Sequence, residues 1–301
     1  MNNPLVSVII PTYNRAGHIL HALNSVFAQT YKNYEIIVVD DGSNDETETV
    51  LKSYRNRLKY VYQTNAGPAA ARNHGVKLAH GDWIAFLDSD DMWLPEKLEK
   101  QLGECLRLNA DFGFHDLTFK NYITGNHIES WNIHISESSG LPSLETGLIP
   151  NLYNRLLFKR AEHLLLLPTF IAKREVFFSV RGFKEELRTS EDIEFFLNLA
   201  PRYNAVYVAD VLGVCVIHSG PERITSKEKI YVDRMKAIKI SLSDRLTCKD
   251  FANARIAKLG LAQQMRNLAS TYRRSGMTHH ALITYARYFM IFLTPLFLLK
   301  R

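Results

Sequence analysis

Cysteine is scarce in this sequence: Cys105, Cys215 and Cys248 stand far apart with no paired spacing. That argues against a disulfide framework or a cysteine zinc site and fits a reducing compartment; the three read as small core residues. No G-x-G-x-x-G follows the first strand pattern and no G-x-x-x-x-G-K-[ST] occurs anywhere, so neither a dinucleotide fingerprint nor a P-loop is available. His127, His134 and His163 lack metal-ligand spacing. Met1-Asn2-Asn3-Pro4 leads straight into a strand pattern, leaving no room for a signal peptide, so a cytoplasmic protein is expected. Acidic residues stop at Asp250, whereas eight of the 37 Lys and Arg residues lie beyond it. The first 250 residues therefore carry 29 basic against 31 acidic groups, and the net charge of +6 belongs to the tail.

What is present is enough for a sizeable core: 301 residues, 46% of them hydrophobic. Leu5–Ile10 reads as a strand followed by a helix over Gly17–Gln29. The unit repeats with Tyr34–Val39 and a helix from Glu46 to Tyr54, then Leu58–Tyr62 and a helix over Ala66–Ala79, then a fourth strand over Asp82–Leu87. Strands alternating with helices imply a mainly parallel, right-handed βαβ sheet. Residues 95–109 read as a helix, Phe112–Phe119 as a strand, Pro168–Ala172 as a strand, Lys173–Ser179 as a helix, and Val206–Val208 and Leu212–Ile217 as two closing strands. Residues 120–167 have no clear periodicity and are expected to form a substrate-specificity insert.

In such a sheet the carboxyl ends of the strands face the ligand crevice. Asp88, Asp90 and Asp91 fall there with no basic residue near them in sequence, an arrangement that asks for a cation. Hard oxygen ligands suit Mn²⁺ or Mg²⁺, which keep one or two carboxylates and complete their shell with water and phosphate; capping of a helix starting at Pro95 is the other reading. Asp40 and Asp41 end the second strand, where they could accept from a ribose or base, or cap a helix. Arg72, one turn into an Ala-rich helix, could meet phosphate or base as a forked donor or simply lie at the surface. Ser190 begins an amphipathic helix whose first turn holds Glu191 and Asp192. His218 ends the last strand pattern, where it could reach a metal or phosphate or stay structural.

Taken together, Val6-Ser7-Val8-Ile9-Ile10-Pro11-Thr12-Tyr13-Asn14, Val38-Val39-Asp40-Asp41-Gly42-Ser43, Gly67-Pro68-Ala69-Ala70-Ala71-Arg72-Asn73, Phe86-Leu87-Asp88-Ser89-Asp90-Asp91 and Ser190-Glu191-Asp192 resemble, in order and spacing, the family 2 inverting glycosyltransferases. The resemblance covers residues 4–119 and 168–219. It implies a GT-A fold, Rossmann-like and mainly parallel, with a C-terminal helical extension outside it: a catalytic domain over 1–220 and an extension over 221–301. It implies that Tyr13 lies against a uracil-type base with Pro11 and Thr12 beside it, that Asp41 and Asp40 hold base or ribose, and that Arg72 helps hold the nucleotide. Asp88-Ser89-Asp90 is similar to the D-x-D motif, with Asp90 the metal ligand, Asp88 contacting sugar, ribose or metal, and Ser89 in the donor site; Asp192 matches the catalytic base, and His218 a late metal-site histidine. The chain departs from the pattern at Asn198, where many members have Arg, at Lys184, where an acid is common, and at Val214-Cys215-Val216, where a Tyr-Arg pair is common.

The implied reaction moves a sugar from a nucleoside-diphosphate sugar, UDP above all, to a hydroxyl of a glycan or lipid-linked glycan in cell-surface polysaccharide biosynthesis. The other reading kept open is a nucleotide-sugar-binding module without turnover that recruits partners through its basic tail. Helices are expected over Lys227–Leu246 and Phe251–Ser275, with a final run from Ala281 to Leu299. The uncharged stretch Tyr288–Leu299 has 12 residues, short of the roughly 20 that span a bilayer. Residues 281–301 therefore read as an interfacial helix on an anionic, cytoplasmic membrane face, or as a helix packed on the catalytic domain or in a homo-oligomer interface. Nucleic acid is not expected, because the basic groups sit on an aliphatic tail and the crevice is acidic.

Overall fold

The computed structural model describes residues 3–121, 127–130, 132, 134, 136, 143–158, 166–187, 189–216, 227–247, 249–274 and 276–293. Contacts divide the chain into two compact units, one of Met1–Pro150, His163–Glu185 and Tyr203–Glu222, the other of Asn151–Glu162, Glu186–Arg202 and Arg223–Arg301.

In the first unit, β1 (Val6–Thr12), α1 (Ile19–Phe27), β2 (Tyr34–Asp40), α2 (Thr47–Leu51), β3 (Lys59–Tyr62), α3 (Pro68–Lys77) and β4 (Trp83–Phe86) follow the expected alternation. Then come β5 (Met92–Trp93), α4 (Lys97–Arg107), β6 (Phe112–Lys120), β7 (His127–Ile128) and β8 (Gly147–Leu148), and after them β9 (Ile171–Lys173) and β10 (Ala205–Val216). The sheet runs β3-β2-β1-β4-β9-β6-β10-β5. β1 pairs in parallel with β2 and β4, β2 with β3, and β6 with β10; β9 runs antiparallel between β4 and β6. Alternate residues of β1 face opposite layers: Val6, Val8 and Ile10 pack with Ile19, Leu23 and Val26 of α1, whereas Ile9 meets α3. Gly75 makes that approach possible, since a Cβ there would lie 2.4 Å from Ile9 Cγ2.

Three details differ from the sequence reading. Pro168 has no N–H to give a ladder, and Leu167–Thr169 forms a 3₁₀ turn that shortens the expected strand to β9. The two closing strands are one, β10, kept continuous by register shifts between Val208 and Val211 and between Val211 and Gly213. The chain does not pass from the acids directly into a helix: β5 intervenes and pairs antiparallel with β10. The insert is not featureless in its described parts, since β8 pairs with β10. Cys105 is a core residue whose burial pushes its thiol up to about 12; Cys248 lies outside the described residues.

The second unit holds α5 (Leu152–Phe158), α7 (Glu191–Leu199), α8 (Lys227–Thr247), α9 (Phe251–Arg274) and α10 (Thr278–Leu293), α6 (Arg174–Ser179) belonging to the first. α9 packs on α8, α10 and α5, and Gly260 lets α5 close in, a Cβ there falling 2.6 Å from Leu157 Cδ2. Gly276 at φ 77° ends the hairpin between α9 and α10. No helix among the described residues is long and apolar enough to cross a membrane.

Candidate active site

The loop after β1 is stitched to the loop after β2. Asp41 N–H donates to Thr12 O at 2.8 Å, Asn14 N–H to Ser43 Oγ at 2.9 Å, Asn44 N–H to Asn14 Oδ1 at 2.9 Å, Arg15 N–H to Thr47 Oγ1 at 3.1 Å and Ala16 N–H to Asp45 Oδ2 at 3.1 Å. Asn14 adopts the left-handed conformation, φ 51°, which Asn tolerates better than most residues. On this fixed shelf Pro11 and Thr12 are buried in β1 while Tyr13 stays 46% exposed, an aromatic face open to a planar ligand. Thr12 Oγ1 is buried without a hydrogen-bond partner, a donor and acceptor held beside that face.

Asp40 and Asp41 are both buried and both engaged. Asp40 accepts from Ser43 N–H and Tyr60 O–H, each at 2.8 Å; burial and this bond push the Tyr60 phenol up, so it remains a donor. Asp41 accepts from Gln63 Nε2 at 2.7 Å, Ala66 N–H at 2.9 Å and Gly67 N–H at 2.8 Å, an anion at the start of α3. A carboxylate can take about four hydrogen bonds, so each keeps acceptor capacity for a ribose or base while fixing its loop.

β4 ends at Phe86, Leu87 N–H still donates to Ile9 O at 3.1 Å, and Asp91 N–H closes the acidic turn on Asp88 O at 3.0 Å. The expectation that these acids have no basic neighbour is overturned. Folding brings Arg72 Nη2 to 2.8 Å from Asp88 Oδ1 and Arg15 Nε to 3.6 Å from Asp90 Oδ2. Sequence distance hid both, because the arginines arrive from the start of α3 and the loop after β1. Arg15 and Asp90 are both about a quarter to a third exposed, so that pair is screened and worth little by itself, whereas the Arg72 side chain is 6% exposed and Asp88 is the carboxylate that meets it. Asp91 and Ser89 are buried; Asp91 accepts Val216 N–H at 3.0 Å. Burial, then repulsion from Asp88 and Asp90, raises its carboxyl well above the usual range, and burial next to Asp91 raises the Cys215 thiol.

No group of three or more His, Cys, Asp or Glu forms a metal cage among the described residues. The donor set still suits Mn²⁺ or Mg²⁺, which are held by one or two carboxylates plus phosphate oxygens rather than by an all-protein cage. His218 lies outside the described residues.

Arg72 and Asn73 also tie α3 to the turn after α6. Arg72 lies over the Phe183 ring at 5.8 Å; Asn73 donates to Phe183 O at 2.8 Å and accepts its N–H at 2.9 Å. Gly182 is required there: its φ is 66°, and a Cβ would fall 2.6 Å from Asn73 Oδ1.

In the second unit, Ser190 precedes α7 but does not cap it through its hydroxyl; it sits in the left-handed region at φ 63°, its carbonyl accepting Glu194 N–H at 3.1 Å. For a non-glycine residue that conformation costs about 1–2 kcal/mol and marks a place where surroundings dictate the backbone. Asp192 is partly exposed and its Oδ1 accepts Ile193 N–H at 2.8 Å. Asn198 donates to Glu194 Oε1 at 2.6 Å and is met at Oδ1 by Arg245 Nη2 at 3.3 Å, so a guanidinium reaches that position from another helix. The sequence reading places Arg15 among the polar residues of the loop after the first strand without giving it a role, and does not single out Tyr60 or Gln63; the one available signal is that Tyr60 lies in β3 and Gln63 directly follows it.

The model of "Glycosyl transferase family 2" matches residues 7–164. An uncharacterized glycosyltransferase, RC0461, of Rickettsia conorii is 30% identical over 283 residues, covering 92% of this chain and 44% of that protein. The Escherichia coli UDP-Glc:alpha-D-GlcNAc-diphosphoundecaprenol beta-1,3-glucosyltransferase WfgD is 42% identical over 132 residues, covering 42% of this chain and 52% of that protein. The chain thus spans about half the length of these relatives or less. Among solved structures, S. aureus TarS 1-349 in complex with UDP-GlcNAc has a TM-score of 0.68 at 23% identity, over 94% of this chain and 79% of that one, a likeness of fold. With the family model matching more than half of its length, the chain belongs to glycosyl transferase family 2.

Proposed function

We propose that this protein is a metal-dependent inverting glycosyltransferase that moves a sugar from a UDP-sugar to a hydroxyl of a glycan or lipid-linked glycan during cell-surface polysaccharide synthesis. The observation that carries the reading is the gathering of Tyr13, Asp41, Arg72, Asp88 and Asp90 at the carboxyl ends of β1, β2 and β4 or on the start of α3, with two arginine–aspartate pairs across the acidic turn. Tyr13 stacks on the base, and Asp40 and Asp41 accept from base or ribose. Arg72 and Arg15 meet the diphosphate as forked donors. Asp88 and Asp90 would hold Mn²⁺ or Mg²⁺, which when bound offsets the charge on the departing diphosphate. Asp192 accepts the acceptor hydroxyl's proton while that oxygen bonds to the anomeric carbon and the bond to phosphate breaks; attack from the opposite face inverts the centre. The donor named for WfgD and the ligand in the TarS structure, both uridine nucleotides, support UDP.

Calorimetric titration with UDP tests the site. Saturable binding is expected with Mn²⁺, weakened at least about tenfold without it or in Asp90→Ala, as removal of a charged partner implies. Wild type that bound neither UDP nor GDP, CDP or dTDP under either condition would refute the reading.

The same proposal places the C-terminal region on an anionic membrane face. Leu282 is 69% exposed and Ile283 is also exposed on α10, which carries Arg287, while exposed Met277 lies in the turn that follows Arg273 and Arg274 at the end of α9. Sedimentation with phosphatidylglycerol vesicles should fall several-fold after truncation beyond Ser275; equal sedimentation would remove the membrane from the proposal.

A further inference from the structure

We infer that α8 is a positioning element for the proposed base, clamping α7 at both ends through Asp233 and Arg245. This rests on the role proposed for Asp192. At the leading end, Thr189 Oγ1 donates to Asp233 Oδ2; Asp233 is 7% exposed and its other oxygen meets Lys236 Nζ at 3.2 Å. At the trailing end Arg245, 3% exposed, directs Nη2 to Leu197 O at 3.1 Å and to Asn198 Oδ1 at 3.3 Å, while Nη1 meets Asp250 Oδ2 at 3.5 Å. A cation on the last carbonyls of a helix is favourably placed against its dipole. α8 therefore lies along α7 in the same direction, an acid at the N-terminal end and a base at the C-terminal end, and the segment 186–202 belongs to the same compact unit as α8.

The location of the first contact gives it consequence. Thr189 adjoins Ser190, the left-handed residue, and Asp192 is two residues further on. A strained residue keeps its conformation only when its neighbours over-determine it. The Asp233 bond before it and the Ser190 carbonyl bond to Glu194 N–H after it do so. Without the first, the turn can relax and carry Asp192 with it. A departure of the order of 1 Å at a reacting group costs up to about 10² in rate.

Thr189→Val removes the donor and keeps the shape; Thr189→Ser restores the hydroxyl. In the full-length protein we expect Thr189→Val to lower kcat by about 10–10² with UDP–Mn²⁺ affinity unchanged, and Thr189→Ser to recover most of that loss. Amide exchange of residues 190–194 should speed up in Thr189→Val but not in Thr189→Ser, with β1, β2 and β4 unaffected. Unchanged kcat in Thr189→Val, or an equal loss of UDP affinity, would overturn the positioning role. Unchanged exchange at 190–194 would overturn the clamp by itself, without any assay of turnover; wild type that binds no nucleotide would instead count against the proposed function.

Discussion

Asp192→Asn is expected to lower turnover by about 10²–10⁴-fold, the range typical of losing general-base assistance, while UDP–Mn²⁺ affinity stays within about twofold. The substitution is close to isosteric. The Asn side-chain oxygen can still accept Ile193 N–H, the bond Asp192 makes at 2.8 Å, so the first turn of α7 keeps its shape. What is lost is the ability to take a proton from the acceptor hydroxyl and the negative charge that favours its departure. The residues proposed to hold the donor lie in the other compact unit, so their loops remain stitched as before. Initial rates with a UDP-sugar, alongside calorimetry with UDP, separate the two effects. Undiminished turnover would remove Asp192 as the base, and parallel loss of binding would make its role structural. A binding module without turnover would show neither change.

The parts of this protein legible from sequence are those set by local pattern. β1, β2 and β4 are short apolar runs closed by polar loops, and their parallel pairing follows from the helices between them. The acids at the ends of β2 and β4 needed only position in the chain to be recognised. What sequence could not supply was the company those acids keep. Arg72 is 16 residues from Asp88 and Asn73 is 110 from Phe183. No periodicity links such partners; only the closing of the sheet does. β5 is two residues long, below any periodic signal, and β9 reads as the tail of a longer strand because apolar content does not report where a proline interrupts the ladder. The same limit applies to α7: its first turn was visible as Ser190-Glu191-Asp192, but the left-handed Ser190 and its support from α8 depend on residues more than forty positions away.

Phe86→Ala is expected to destabilise the first unit by about 3–5 kcal/mol, the cost of emptying a buried aromatic site. Phe86 is fully buried, and its ring meets Phe183 edge-on at 5.3 Å, Phe170 at 6.1 Å and Phe177 at 6.1 Å. Phe170, just before β9, and Phe183, in the turn after α6, lie far along the chain, so the cluster joins β4 to the region around β9 and α6 and cannot easily collapse around a methyl group. Scanning calorimetry should show the transition falling by several degrees at least, with Phe86→Leu recovering most of the loss because it refills much of the volume. A shift under about 2 °C for Phe86→Ala would mean that the cluster is not packed as described. The site stands two residues further on: Leu87 is held by Ile9 and Asp88 by Arg72, bonds that Phe86 does not make. Nucleotide affinity in Phe86→Leu should therefore match wild type well below the transition and fail only as the fold does, which separates the residue that supports the acidic turn from those that form it.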